Sequence, residues 1–295
     1  MKQGASLSRR AVLKTAVAAV GATLFAPLVS RGRYQLFAWS PREYSARCID
    51  LVRGSLVIDM LGLTSLNSET EARWGPGMDG MTDEDVAHFR NSGIDVFHIA
   101  SGVGGRTQQE AYQNVLAFVG HYDSIVANRP DVFVRIDSAA DLASVHGSGR
   151  SGILIGIQNS QHFRNPDDVN TFHALGQRVS QLTYNSRNMI GNGSTERVDG
   201  GISDFGVGIV ARMNEVGMAV DVSHSGDQTT LDACEISARP VLYTHSNARA
   251  LNPGHPRCKT DEAILRMGAT GGVMGITGVR NFVKGREPTT VEDYI

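Results

Sequence analysis

The chain has 295 residues, enough for one large α/β barrel or two smaller domains. A hydrophobic content of 41% with 33 glycines excludes a disordered chain, and three cysteines (Cys48, Cys234, Cys258) are too few and too scattered for a disulfide scaffold or a four-cysteine zinc module. The net charge of −2 conceals an asymmetry: Lys2, Arg9, Arg10, Lys14, Arg31 and Arg33 face no acid in residues 1–33, and the acidic remainder has no basic run, which argues against a nucleic-acid partner.

The N-terminal stretch reads as an address. Ser8-Arg9-Arg10-Ala11-Val12-Leu13-Lys14 sets paired arginines ahead of an uncharged run, Thr15 to Ser30, which is short for a membrane span and suits a signal h-region. It resembles a bacterial twin-arginine (Tat) signal. That resemblance implies the Tat machinery as a partner, export to the periplasm or cell envelope, and membrane attachment only through an uncleaved leader. The expected organisation is a signal segment over 1–33, a linker with a lead-in helix over 34–54, and a barrel over 55–295.

Short apolar runs then alternate with helical patterns. The runs are Ser55–Leu61, Ile94–Ala100, Gly152–Ile157, Arg178–Tyr184, Met218–Ser223, Pro240–Thr244 and Gly272–Ile276. Most are rich in Val, Ile or Leu with little polar alternation, as in parallel strands buried on both faces. Thr82 with Asp85 starts a helix that Gly93 stops; Ser203 precedes Asp204–Val216, stopped by Gly217; Thr260 opens Asp261–Met267, stopped by Gly268. Seven such repeats predict an α/β fold, a (β/α)8 TIM-like barrel, incomplete at its eighth strand. Thr289–Ile295 reads as the start of a helix with no strand behind it, so the expectation is a barrel cut short at its C-terminal end. The other source of a closing strand is Val132–Ile136.

Barrel active sites lie at the C-terminal ends of the strands. Those ends carry Asp59-Met60-Leu61, Ser101-Gly102, Gln158-Asn159, Tyr184-Asn185, His224 and His245. Two histidines on successive strand ends, in Asp221-Val222-Ser223-His224-Ser225 and Thr244-His245-Ser246-Asn247, can share one space and bind one metal ion. Asp221 reads as a structural hydrogen-bond partner near the barrel mouth, and His98 as a satisfied core histidine. Gly102–Gly105 reads as a βα loop and not a phosphate loop. The polar stretch Asn188–Asp199 reads either as the rim of a substrate pocket or as a surface excursion.

Together, Leu182-Thr183-Tyr184-Asn185, Gly201–Phe205, Met213–Met218, Asp221–Ser225, Thr244–Asn247 and His255-Pro256-Arg257 resemble the membrane (renal) dipeptidase family. The resemblance implies that the barrel is of the metal-dependent hydrolase type, a metallopeptidase with two bridged zinc ions that hydrolyses a dipeptide. It implies that His224 and His245 ligate one zinc and that Arg257 pairs with the substrate carboxylate through its bidentate fork. Tyr184 and Gln158 fall at substrate-site positions, and the family's catalytic Asp lies past Ile295.

This sequence departs from the family pattern at several places. Leu61 and Leu63 replace the His-x-Asp pair at the first strand, Gln158 replaces the bridging carboxylate, Tyr184 replaces a substrate-contacting histidine, and Cys258 follows the arginine where Asn is usual. With so little negative charge, one zinc is expected and two are not. Two readings stay open: an exported metallo-dipeptidase acting on small dipeptides, and a catalytically inactive periplasmic binding protein on the same barrel.

Overall fold

The computed structural model describes residues 33–35, 43–62, 68–284 and 288–294; residues 1–32, with the twin-arginine segment, and Leu63 lie outside the described residues. The chain divides into two units between Val57 and Ile58. In the first, β1 (Arg33–Gln35) pairs antiparallel with β2 (Glu43–Ser45), which runs into α1 (Ala46–Arg53). Ser45 caps that helix by accepting the Cys48 N–H at 3.1 Å. A lead-in helix was expected here; the strand pair had no sequence signal.

The second unit carries β3 (Ile58–Gly62), α2 (Ser68–Trp74), α3 (Asp83–Asn91), β4 (Val96–Ser101), α4 (Gln108–Asn128), β5 (Phe133–Arg135), α5 (Ala139–Val145) and β6 (Ser151–Ile157). It continues through α6 (Pro166–Ala174), β7 (Gln177–Gln181), α7 (Asp204–Val216), β8 (Ala219–Asp221), α8 (Asp227–Ile236), β9 (Val241–Ser246), α9 (Asp261–Ala269) and β10 (Met274–Ile276), ending with α10 (Arg280–Val283) and α11 (Val291–Tyr294). Every strand pairing in this unit is parallel, in the order β10-β9-β8-β7-β6-β4-β3. The result is an α/β, nearly closed parallel barrel of the TIM type. Each of the seven expected runs holds one strand of that order.

Val132–Ile136 does contain a strand, but it does not close the barrel. β5 pairs with Ser151–Ile153 at the start of β6, whereas β7 pairs with the other end of the same strand, Ile155–Ile157. Since β4 occupies the opposite side of β6 along Gly152–Ile157, β5 wedges between β6 and β7 at the barrel floor. The edges of the sheet remain β3 and β10. They approach closely: a Cβ on Gly275 of β10 would lie 3.4 Å from Cβ of Met60 on β3.

Strand alternation sorts the two faces of the sheet. On β4, Phe97 and Ile99 point outward; Phe97 meets Phe89 of α3 edge-on at 5.6 Å, within the main core between sheet and helices. Val96 points inward, into a smaller cluster with Ile136 and Val145. The helix ends follow local chemistry. Thr82 and Asp85 form a reciprocal capping box, Ser203 caps α7 through the Gly206 N–H at 3.0 Å, and Gly217 ends α7 at φ 83°. α9 runs two residues further than its expected stop. Gly268 has open space around it and stays helical, and the left-handed residue that ends the segment is Gly271, at φ 78°.

His98, on the inward face of β4, lies across Gly156 of β6, where any Cβ would fall on its Nε2, while its Nδ1 meets the Met60 carbonyl at 2.7 Å. Gly156→Ala must therefore push the ring off Met60. The expected loss is about 1–3 kcal/mol of folding stability, read as a lowered urea midpoint at unchanged m-value.

Candidate active site

The site is built where β8 and β9 end. Asp221, the last residue of β8, is 1% exposed and its carboxylate accepts four hydrogen bonds. Oδ1 takes the Ser223 N–H at 2.9 Å, the Ser223 hydroxyl at 2.6 Å and the Thr244 N–H at 3.2 Å; Oδ2 takes the Thr244 hydroxyl at 2.7 Å. Ser223 Oγ in turn accepts the His245 N–H at 3.1 Å. One buried carboxylate thus ties together the residues that precede both histidines.

The two imidazoles meet. Nε2 of His224 and Nε2 of His245 are 2.9 Å apart, with ring centroids at 4.9 Å. Their other nitrogens face outward partners: His224 Nδ1 lies 2.7 Å from Asn185 Oδ1, and His245 Nδ1 lies 2.9 Å from Thr244 Oγ1. Burial holds both rings neutral. It lowers His224 far below its ordinary value, with the Arg257 charge adding to the effect, and takes His245 down to about 4 against the pull of Asp221.

Two buried cations grip the turn around His224. Lys259 is 1% exposed and donates to the carbonyls of Val222 and Ser225 at 2.6 and 2.8 Å and to Thr230 Oγ1 at 2.9 Å. Arg257 donates Nη1 to the Ser223 carbonyl, its guanidinium carbon sits 5.0 Å from the Phe282 ring centroid, and its Nε and Nη2 are buried with no partner. Burial pulls Arg257 down to about 10, so it stays charged at neutral pH.

The other expected site residues divide. Tyr184 is brought in: its ring stacks on His224 at 4.1 Å and 19°. Gln158 turns aside, donating its side-chain amide to the Ala100 carbonyl at 3.1 Å. Leu61 is half-buried on β3 and offers no ligand atom. The Cys258 thiol donates to the Phe282 carbonyl at 3.4 Å, and burial raises its pKa, which makes it an unreactive thiol. Asn188 and Met189, with Gln108, Asn159, Gln161, Tyr184 and Arg187, line a cleft of 690 Å³, so the start of the polar stretch does form a rim. That cleft reaches the histidine pair only through Tyr184.

Sequence reasoning missed Asn185 and Lys259. Asn185 had been noted at a strand end without a role. A lysine just before a helix N-cap carries no signal of burial; only the three oxygens gathered around it show its place.

Among the described residues, the convergent donor pair is compatible with a single metal ion. Two neutral nitrogens converge on one point, each backed by an outer hydrogen-bond partner, as in histidine sites for zinc. Among the described residues no group of three or more His, Cys, Asp or Glu side chains gathers as a metal site.

Comparisons with known proteins give the family. Residues 47–295 match the model of the membrane dipeptidase family, peptidase family M19. This chain belongs to that family. It is 33% identical over 163 residues to dipeptidase verJ of Clonostachys rogersoniana, an overlap that covers 54% of this chain and 42% of the relative. It is 30% identical over 175 residues to dipeptidase aclJ of Aspergillus oryzae, covering 58% of this chain and 41% of that one. The chain spans about two-fifths of the length of the curated relatives it matches.

Among solved structures, an amidohydrolase from Pseudomonas aeruginosa superposes with a TM-score of 0.69 at 31% identity, over 83% of this chain and 69% of that one. A metallo peptidase from Rhodobacter sphaeroides, liganded with a phosphinate mimic of the dipeptide L-Ala-D-Ala, gives 0.67 at 20% identity, over 81% and 76% of the two chains. The second likeness shows the fold.

Lys259 predicts a pH effect. Burial lowers its ammonium from 10.5 to about 7. Between those values the unfolded chain binds a proton that the folded chain does not, so this group's contribution makes stability rise with pH across that window. From pH 7 to 9 the wild-type gain in unfolding free energy should exceed that of Lys259→Met by roughly 2–3 kcal/mol in urea titrations. Equal pH slopes in the two proteins would contradict it.

Proposed function

We propose that this barrel is a metal-dependent dipeptidase that hydrolyses the peptide bond of small dipeptides, with one zinc on His224 and His245. The carrying observation is Arg257: a buried guanidinium with two unpartnered donors beside two neutral, convergent imidazoles. A buried cation whose donors lack partners is costly, and a carboxylate matching the fork offsets that cost. Nη1 is committed to the carbonyl of the residue before His224, so a carboxylate on the remaining donors lies beside the histidine pair. Bound zinc supplies Lewis-acid polarisation of a carbonyl and activation of water.

The chain's own residues do the positioning. Arg257 binds and orients the C-terminal carboxylate. Tyr184, stacked on His224, shields one face of that imidazole from water. Lys259 and Asp221 keep the turn in register with β9. The cleft beside Tyr184, with its amide side chains, leaves room for the rest of a small peptide. Export by the Tat route to the periplasm or envelope belongs to the same reading, supported by Arg9, Arg10 and the uncharged run to Ser30. Leu61 and the turned-away Gln158 favour the second reading, a binding protein without turnover.

The discriminating experiment compares zinc-supplied wild type and Arg257→Gln on a panel of dipeptides and their C-terminal amides. Wild type should cleave dipeptides, Arg257→Gln should lose roughly 10²–10³-fold in kcat/KM, mostly through KM, and the amides should be poor for both proteins alike. Dipeptide binding without turnover in the wild type would establish the binding protein instead.

A further inference from the structure

The proton positions on the two imidazoles follow from their outer partners. The Thr244 hydroxyl has one proton, and the Asp221 carboxylate at 2.7 Å takes it; the Ser223 proton goes to the same carboxylate at 2.6 Å. Thr244 Oγ1 therefore presents only lone pairs to His245, and Nδ1 at 2.9 Å must carry the hydrogen. On the other ring, Nδ1 of His224 faces the carbonyl oxygen of Asn185 at 2.7 Å and must likewise carry the hydrogen. A neutral imidazole has one N–H, so both Nε2 atoms hold bare lone pairs. These stand 2.9 Å apart with no hydrogen between them, an arrangement that repels unless a cation joins it.

We propose that Asn185 is a positioning residue: it fixes the proton of His224 on Nδ1 and thereby presets Nε2, with that of His245, to receive a metal ion. The inference rests on the metal-site reading above and adds to it the device that prepares the site before metal arrives. The backbone of Asn185 is held apart from its side chain, since its carbonyl accepts the Thr195 N–H at 3.0 Å and the Thr195 hydroxyl at 2.8 Å, while the neighbouring Ser194 N–H donates to the His224 carbonyl at 2.8 Å. The side chain is thus free to serve the histidine. His245 is served by a different arm, Asp221 through Thr244, so the two ligands are set separately. Outer partners of this kind, an oxygen acceptor on the far nitrogen of a metal-binding histidine, orient the ring and raise its basicity.

The test uses the full chain, with zinc itself as the probe. Affinity is measured by competition with a chromophoric chelator, and the histidine tautomers of the metal-free protein are read from long-range 15N–1H correlations. Asn185→Leu removes the acceptor at similar volume; Asn185→Asp keeps an acceptor that cannot turn its nitrogen inward. The expected result is Nδ1–H on His224 in wild type and Asn185→Asp, mixed tautomers in Asn185→Leu, and a 10–100-fold weaker zinc affinity for the leucine variant only. Nε2–H on His224 in the metal-free wild type overturns the inference whatever the variants do. So does a folded Asn185→Leu that binds zinc as tightly as wild type. A wild type with the expected tautomers that binds no zinc sinks the metal-site reading and, with it, the role assigned to Asn185.

Discussion

The site depends on the carboxylate of Asp221. A buried charge without fixed donors costs several kcal/mol, and here two backbone N–H groups and two hydroxyls supply them. The donors come from both sides of a strand junction. β8 and β9 pair with Val220 beside Val241 and Asp221 beside Leu242, so the residues that follow each strand's paired segment reach the same carboxylate. Serine at 223 and threonine at 244 are needed because each gives a proton to Asp221 and still offers an oxygen onward, one to the His245 N–H and one to the His245 ring.

Charge around the histidines is unbalanced in a useful direction. Arg257 is a buried cation, Lys259 is one below about pH 7, and Asp221 is a carboxylate that shares their space; its four hydrogen bonds leave it committed. The carbonyls of Val222, Ser223 and Ser225 absorb part of the positive charge, and the two rings stay neutral. A cation placed between the imidazoles would make the pocket more positive still, so its natural complement is an anionic substrate. Nε and Nη2 of Arg257 are the buried donors without a partner that the proposed reading gives to such a substrate.

The barrel was legible because its strands are buried on both faces, which leaves continuous Val and Ile runs, and because the helix ends carry their own chemistry at Thr82, Ser203 and Gly217. His224 and His245 could be paired because successive parallel strands end side by side. Three features could not be read. β5 has the composition of a closing strand, and its place beside the start of β6 depends on register, which leaves no mark in local sequence. Gln158 lies at a strand end like the histidines, yet its amide satisfies the Ala100 carbonyl instead of the site. Asn185 and Lys259 act through distances that only the folded chain creates, one across the mouth to His224 and one back into the turn before α8.

The most direct test of this account is the metal content of the chain and of its His224→Ala variant, each loaded with zinc, freed of excess metal by gel filtration and measured by inductively coupled plasma mass spectrometry. The account predicts close to one zinc per chain in wild type and a loss of that zinc in the variant. Two zinc ions per chain, or one that His224→Ala retains, would contradict the site described for His224 and His245.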